Sequence, residues 1–385
     1  MVQSSMPPRP PGLMFQHSVR WRTGCVLAVA WTMSAAPSAM AEPQQPAGPD
    51  VHEHTTQAPQ VQRSLDALTQ LADDASLFRT RDASGTAWLP DVTPMYGPRH
   101  TSGAWQLMLH GNAFVQFLHE SAPEHRGASQ TGSINWAMLM AKRPLAGGWL
   151  GLCSMVSLEP LTIRGCGCPD LLATGELCDG DSIHDRQHPH DLFMEVAAQF
   201  DRPLTQGLRW QVYGALVGEP ALGPSGYPHR ASAMPNPIAP VTHHWLDATH
   251  ISFGVVTTGV YGERWKAEAS AFNGREPDEA RYDIDFGRMD SVAGRLSFLP
   301  TQALALQVSA GRLESAELKF PRGPALDVVR ITSSATYHRR FGDQRLWATT
   351  FAWGANHEEG EMTHGVLLES ALSVSNRDVG SVAWK

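Results

Sequence analysis

Trp105-Gln106-Leu107-Met108-Leu109-His110-Gly111-Asn112-Ala113-Phe114-Val115-Gln116-Phe117 decides the fold class. Trp105, Leu107, Leu109, Ala113, Val115 and Phe117 alternate with Gln106, His110, Asn112 and Gln116. Successive side chains of a strand point to opposite faces, so this stretch reads as a strand with one apolar and one mixed face. The pattern returns in Ile134-Asn135-Trp136-Ala137-Met138, Leu208-Arg209-Trp210-Gln211-Val212 and Trp265-Lys266-Ala267-Glu268-Ala269. It returns again over 292–298, 304–310, 329–337, 346–352 and 366–374. No long helical pattern interrupts it, and the chain reads as all-β.

Twelve strands are expected, at 105–118, 130–142, 148–158, 191–201, 208–217, 250–258, 262–272, 290–298, 303–312, 328–339, 345–355 and 364–374. Short connections at 143–147, 202–207, 259–261, 299–302 and 340–344 alternate with long ones at 120–129, 159–190, 218–249, 273–289 and 313–327. The connection at 356–363 is shorter. A soluble sandwich would alternate along its strands as well. The asymmetry of the connections belongs to outer-membrane barrels, whose periplasmic turns are tight and whose outer loops are free to grow. Trp105, Trp149, Trp210, Trp265 and Trp347 stand near strand ends, where an aromatic girdle would lie. The mixed face carries Gln106, His110, Asn135, Arg209, Gln211, Lys266, Glu268, Arg295 and Gln307. The expected fold is therefore an antiparallel up-and-down transmembrane β-barrel of about 12 strands over 105–385. A thirteenth strand would open at 381–385, and a C-terminal Lys385, where many such barrels end in an aromatic residue, reads as a truncated barrel.

The N-terminus reads as an export leader. Arg20 and Arg22 precede a 12-residue apolar run over 25–36, and Ala39-Met40-Ala41 fits the small-x-small cleavage rule. Such a run is too short for a membrane-spanning helix, which needs ~20 residues. Residues 1–41 are read as a signal peptide, with Met14 as an alternative start. The segment 42–104 is read as a partly disordered periplasmic tail with an amphipathic stretch over 64–78. Cleavage would remove Arg9, Arg20 and Arg22 and no acid, moving the net charge from −8 to about −11. An acidic exported chain is a poor nucleic-acid binder.

Several phrases resemble an uncharacterised proteobacterial family of exported outer-membrane β-barrel proteins. They are Gly85-Thr86-Ala87-Trp88-Leu89-Pro90-Asp91 with Thr93-Pro94-Met95, Leu107-Met108-Leu109-His110-Gly111-Asn112, and Asp185-Arg186-Gln187-His188-Pro189-His190-Asp191 with Met194-Glu195. Ser232-Ala233-Met234-Pro235 with Pro240, and His243-His244-Trp245 with Asp247, His250 and Ile251, belong to the same likeness. It covers roughly 84–375, and implies an outer-membrane barrel, sometimes encoded near metal-resistance genes, with no established activity.

Most of the 17 histidines fall on the long-loop side. Two groups are dense: His184, His188 and His190 with Asp185 and Asp191, and His243, His244 and His250 with Asp247. Imidazole with carboxylate suits Zn(II), Cu(II) or Ni(II). His184, His188, His190, Asp191, His243, His244, Asp247 and His250 are therefore the candidate metal ligands. A polar network that packs the loops into the barrel mouth accounts for the same residues without a metal. His52-Glu53-His54 is a further, weaker pair of donors. Ser182, Ser225 and Ser232 share these loops, but no nucleophile motif frames them. In an oxidising periplasm Cys178 is expected to pair with Cys166 or Cys168, with a soft-metal site on those three cysteines as the alternative. The expected function is a non-enzymatic, porin-like barrel in outer-membrane lipid, passing or binding a small solute or metal ion at its His-rich outer mouth. An outer-membrane hydrolase and a purely structural or adhesive barrel are the alternatives.

Overall fold

The structure is a computed structural model that describes residues 29–30, 78–123, 126–179, 181–317, 325–342, 345–374 and 379–384. The cleavage site, the 64–77 stretch and His52-Glu53-His54 lie outside the described residues.

The molecule is all-β. Its strands are β1 (Arg99–Ser102), β2 (Trp105–His119), β3 (Ser129–Leu145), β4 (Gly148–Val156), β5 (Cys168–Cys178) and β6 (Asp181–Gln187). They continue with β7 (Phe193–Thr205), β8 (Leu208–Gly218), β9 (Ser252–Tyr261), β10 (Trp265–Phe272) and β11 (Ser291–Thr301). The last five are β12 (Leu304–Glu317), β13 (Leu326–Phe341), β14 (Arg345–Glu358), β15 (Glu361–Ser373) and β16 (Val379–Trp384). Each strand from β2 to β16 pairs antiparallel with the next in the chain, except that β5 and β6 form a separate hairpin and β4 pairs directly with β7. All twelve expected strands are present, and β16 stands where the thirteenth was expected. The sheet is not closed: among the described residues no pairing joins β16 to β2, whose outer edge carries β1 and the two residues Val29–Ala30.

Two connections differ from expectation. The long segment 159–190 contains the hairpin β5–β6 and a short helix α1 (Glu159–Thr162), with Cys166 and Cys178 joined by a disulfide. Cys168 and Cys153 are free thiols. The expected loop at 356–363 is a two-residue turn, Glu359-Gly360, because β14 and β15 stay paired as far as Glu358 and Glu361.

The faces are inverted relative to a soluble protein. Along β11, Ser291, Ala293, Arg295 and Ser297 are buried, whereas Val292, Leu296 and Phe298 are exposed. β12 buries Gln307 and Ser309 and exposes Leu306 and Val308; β13 buries Arg330, Thr332 and Thr336 and exposes Val329 and Ile331. The polar face is covered from within by two chain segments, 78–97 and 219–251. In the first, part of the segment expected as a tail, Trp88 meets Tyr261 edge-on and lies 4.6 Å under the Lys266 ammonium. Thr86 accepts from Arg295 at 3.0 Å. In the second, the backbone amides of Ala221 and Gly223 donate to Ser270 and Ser309. Gly354 and Gly365 pair across β14 and β15, and a side chain on either would collide with Trp245.

The contacts of two consecutive residues show how far the sheet curls. His229 reaches Met155 on β4 and His110 on β2, while Arg230 holds Glu369 on β15. Opposite ends of the sheet thus face each other across one inserted loop. A cavity beside Lys142, Cys153, Glu195 and Lys266 holds about 50 Å³.

Arg230 is fully buried and donates to Glu369 (2.5 Å), Asp247 (2.7 Å) and the Ser225 carbonyl (2.9 Å). Removing it strands two buried carboxylates, a class of change that costs about 3–5 kcal/mol. Arg230→Met is expected to lose that much in denaturant unfolding of the refolded, detergent-solubilised chain, and to open the 219–251 loop to protease. A variant within 0.5 kcal/mol of wild type, roughly the spread of ordinary surface substitutions, would show that Arg230 does not anchor the loop.

Candidate functional site

The 219–251 loop carries a one-turn 3₁₀ helix (Tyr227–His229), a one-turn helix α2 (His243–Leu246) and a second 3₁₀ turn (Ala248–His250). Opposite them, 188–191 leads from the β5–β6 hairpin into β7. These segments converge on His190, Tyr227, His243 and His250, with ring centroids 5.0–5.7 Å apart in the pairs His243–His250, His190–His250, Tyr227–His243, Tyr227–His250 and His190–Tyr227.

Each histidine is oriented through Nδ1. His190 Nδ1 lies 2.8 Å from Glu159 Oε1, and its backbone N–H donates to the other oxygen of that carboxylate. His250 Nδ1 lies 2.9 Å from the Asp247 carbonyl, an acceptor only, so it must carry the proton. His243 Nδ1 lies 2.9 Å from Asp247 Oδ1. Burial alone would raise the Asp247 carboxyl, but Arg230 and His243 overcome it and hold the group well below the usual carboxylate range. Asp247 is therefore ionised and accepts from His243. Burial holds His250 well below an ordinary imidazole, and lowers His243 against the opposing pull of Asp247. Both rings are neutral near pH 7, with Nε2 bare.

His190 Nε2 and His250 Nε2 lie 3.2 Å apart. Tyr227, whose hydroxyl burial keeps protonated, lies 3.0 Å from His190 Nε2 and is the one donor in the group. Two acceptor nitrogens at contact distance repel unless they share a positive charge. A proton on His190, held by Glu159, supplies it; so does a metal ion. Metal–nitrogen bonds of ~2.0–2.1 Å at a tetrahedral angle separate two imidazole nitrogens by about 3.3 Å. Carboxylate or carbonyl groups behind each Nδ1 are the usual outer shell of a histidine metal site. Beside the pair lies a cavity of about 20 Å³ lined by Gln187, His188, Asp191, His243, Glu276 and the two histidines, room for one water or ion.

The structure separates the eight candidate ligands. His190, His243 and His250 meet, and His188 and Asp191 line the same cavity. Asp191 Oδ1 accepts from Arg281 at 3.2 Å, and burial raises its carboxyl to about 6. Asp247 is engaged by Arg230 and His243 and serves as their orienter. His244 turns to Glu276 at 3.1 Å, and His184 stands exposed on β6, paired with Thr174. Ser225 and Ser232 are buried away from the histidines: Ser232 sits between Thr350 and Glu369, and Ser225 lies near Ser84. Sequence reasoning missed Glu159 and Tyr227, which no local motif marks. Among the described residues, two groups bring three His, Cys, Asp or Glu ligand atoms within 4.8 Å of one another: Cys166, Cys178 and Asp179 around the disulfide, and the largely exposed Asp278, Asp283 and Asp285. His190 and His250 bring two such atoms together.

The inserted loop carries a pH signature. Burial pushes His229 down to about 3 from an unfolded value of 6.5. A depressed imidazole leaves stability intact above pH 6.5 and removes it as pH falls toward 3, at ~1.4 kcal/mol per unit. Glu219, raised by burial to about 8, acts in the opposite sense, so the measurement is a comparison between variants. His229→Gln is expected to gain on wild type by about 2 kcal/mol between pH 7 and pH 5. A constant difference over that range would mean that His229 is not buried as described.

A scan against protein-family models finds no match, and a search of curated proteins finds none either. The functional reading rests on the geometry of the chain itself.

Proposed function

We propose that this protein is an outer-membrane β-barrel, filled from within by its own loops, that binds a divalent transition-metal ion on His190 and His250. The observation that carries the metal is the pair of Nε2 atoms at 3.2 Å, each with its Nδ1 side tied to an acceptor. The cavity beside His243 leaves a position for water or an incoming donor to complete the coordination, and the Tyr227 hydroxyl, which stays protonated, lies beside His190 as a hydrogen-bond donor. Zn(II), Cu(II) and Ni(II) all fit imidazole with oxygen.

Membrane residence draws on the inverted faces. Val115, Val292 and Leu296 are each more than half exposed on strands whose opposite faces bury Gln116, Arg295 and Ser297. Water does not favour that arrangement, whereas lipid outside and a polar interior require it. The twelve strands of the large sheet from β2 to β15, the β5–β6 hairpin aside, are 8–17 residues long, and all but the eight-residue β10 reach the ~9–11 residues of a tilted crossing. The filled interior favours binding over free passage of a solute. The reading keeps the resemblance to exported proteobacterial barrels as its context.

Two measurements test this reading. The protein is expected to fractionate with outer membranes and to migrate differently on gels before and after heating; recovery as a soluble monomer without detergent would remove the barrel. Zn(II) or Cu(II) titrated calorimetrically into refolded chain is expected to bind, and His190→Ala/His250→Ala to abolish most of the affinity. Glu159→Gln is expected to weaken it by about 10–100-fold through the lost orienting bond. Equal uptake by wild type and double variant would leave a shared proton as the charge between the two rings.

A further inference from the structure

The inner face of the sheet is polar along β11 to β13, yet on β2, β3 and β4 it turns to sulfur. The register makes His110, Met138 and Met155 direct neighbours across three strands. The next inward row is Met108, Met140 and Cys153. Met108, Met138 and Met155 are buried. Onto the first row the inserted loop lowers His229. Its Nε2 lies 3.3 Å from Met155 Sδ, and His110 Nε2 lies 3.0 Å from Met138 Sδ. The indole of Trp136 packs against both imidazoles, 5.3 Å from His110 and 4.8 Å from His229 by ring centroids, and the two imidazoles lie 5.9 Å from each other.

We propose that this His–Met row is a second metal site, for a soft monovalent cation of the Cu(I) or Ag(I) type, held by His110, Met138, Met155 and His229 with Trp136 against it. Thioether sulfur is a poor ligand for Zn(II) and a good one for Cu(I), and imidazole serves both. Thioether and neutral imidazole bring no charge of their own. A monovalent ion therefore brings the smallest desolvation cost into this interior. The indole adds a π-face of the kind that attracts cations. Without an ion each Nε2–H donates to a thioether sulfur; an ion would take both nitrogens in the other tautomer, with the proton on Nδ1, and gap-filling by methionine alone does not bring two imidazoles to the same pair of thioethers. The site is distinct in chemistry from the His190–His250 pair, which faces oxygen donors. Tyr227 and His229, two residues apart in one turn, connect the two.

Silver(I) is the redox-inert probe. It is titrated calorimetrically into refolded chain carrying Cys153→Ser and Cys168→Ser, so that free thiols do not compete. Met138→Leu/Met155→Leu, which nearly conserves side-chain volume, is expected to lower Ag(I) affinity at least tenfold. His190→Ala/His250→Ala is expected to leave Ag(I) affinity unchanged while losing Zn(II). X-ray absorption of the Ag(I) complex is expected to show both sulfur and nitrogen in the first shell. Should the double methionine variant fail the heat-modifiability test for folding, His229→Gln, whose change lies in a loop, is expected to show the same tenfold loss. Ag(I) binding equal to wild type in a folded methionine variant or in His229→Gln would overturn the proposal. So would a first shell without sulfur, or no Ag(I) uptake by the parent chain.

Discussion

A guanidinium sealed inside the sheet constrains everything around it. Arg230 has no access to water, and its charge is tolerated only because Asp247 and Glu369 flank it. Glu369 belongs to β15 and Asp247 to the inserted loop, so the three groups pin the loop to the wall. A buried ion pair adds little net stability against apolar side chains of the same volume, but breaking one is costly. The contribution of this triad is therefore positional. Tyr227 and His229 precede Arg230 directly, and His243 and His250 lie on either side of Asp247. Anchoring one guanidinium fixes the loop side of both groups of donors.

The same logic extends through the interior. Glu268 accepts from Gln211 and pairs with Lys266 and Arg295, and Arg295 reaches on to Thr86 and Glu219. This network joins three strands to both inserted segments. A polar lumen left open would fill with water; filled by chain, its side chains must find partners in the chain. The interior consequently sets several of its charged groups against one another, as Arg230 with Asp247 and Glu369 and Arg295 with Glu268. A filled lumen and a precise polar network are two aspects of one solution.

The histidine pair shows how outer groups determine what inner ones can do. Glu159 and the Asp247 carbonyl hold the Nδ1 sides of His190 and His250, which turns both lone pairs toward one point. Neither ring can relieve the repulsion by exchanging tautomers without losing its orienting bond. Asp247 has a double role, with its backbone carbonyl on His250 and its carboxylate between His243 and Arg230. The electrostatics of the anchor and of the site are thus carried by one residue.

Much of the architecture was legible because it is written locally. Period-two alternation marked most strands of the large sheet, since a strand's faces are set by its own consecutive residues, while β1 lay unread in the segment expected as a tail. The inward placement of Gln211, Lys266, Glu268, Arg295 and Gln307 followed from the same parity. Compartment and spacing narrow the pairing partner of Cys178 to two, and the structure selects Cys166. What the loops do was not legible. No pattern within 78–97 or 219–251 announces that these segments turn inward, because their partners lie on strands as far as 245 residues away in the chain. Glu159 and Tyr227 carried no signal, and nothing in the spacing set His184 and His244 apart from His190, His243 and His250, since sequence spacing says nothing of which loop side chains converge. Local alternation determined the wall of this protein; the pairing of buried charges across the lumen, which exists only once the sheet has curled, decided its contents.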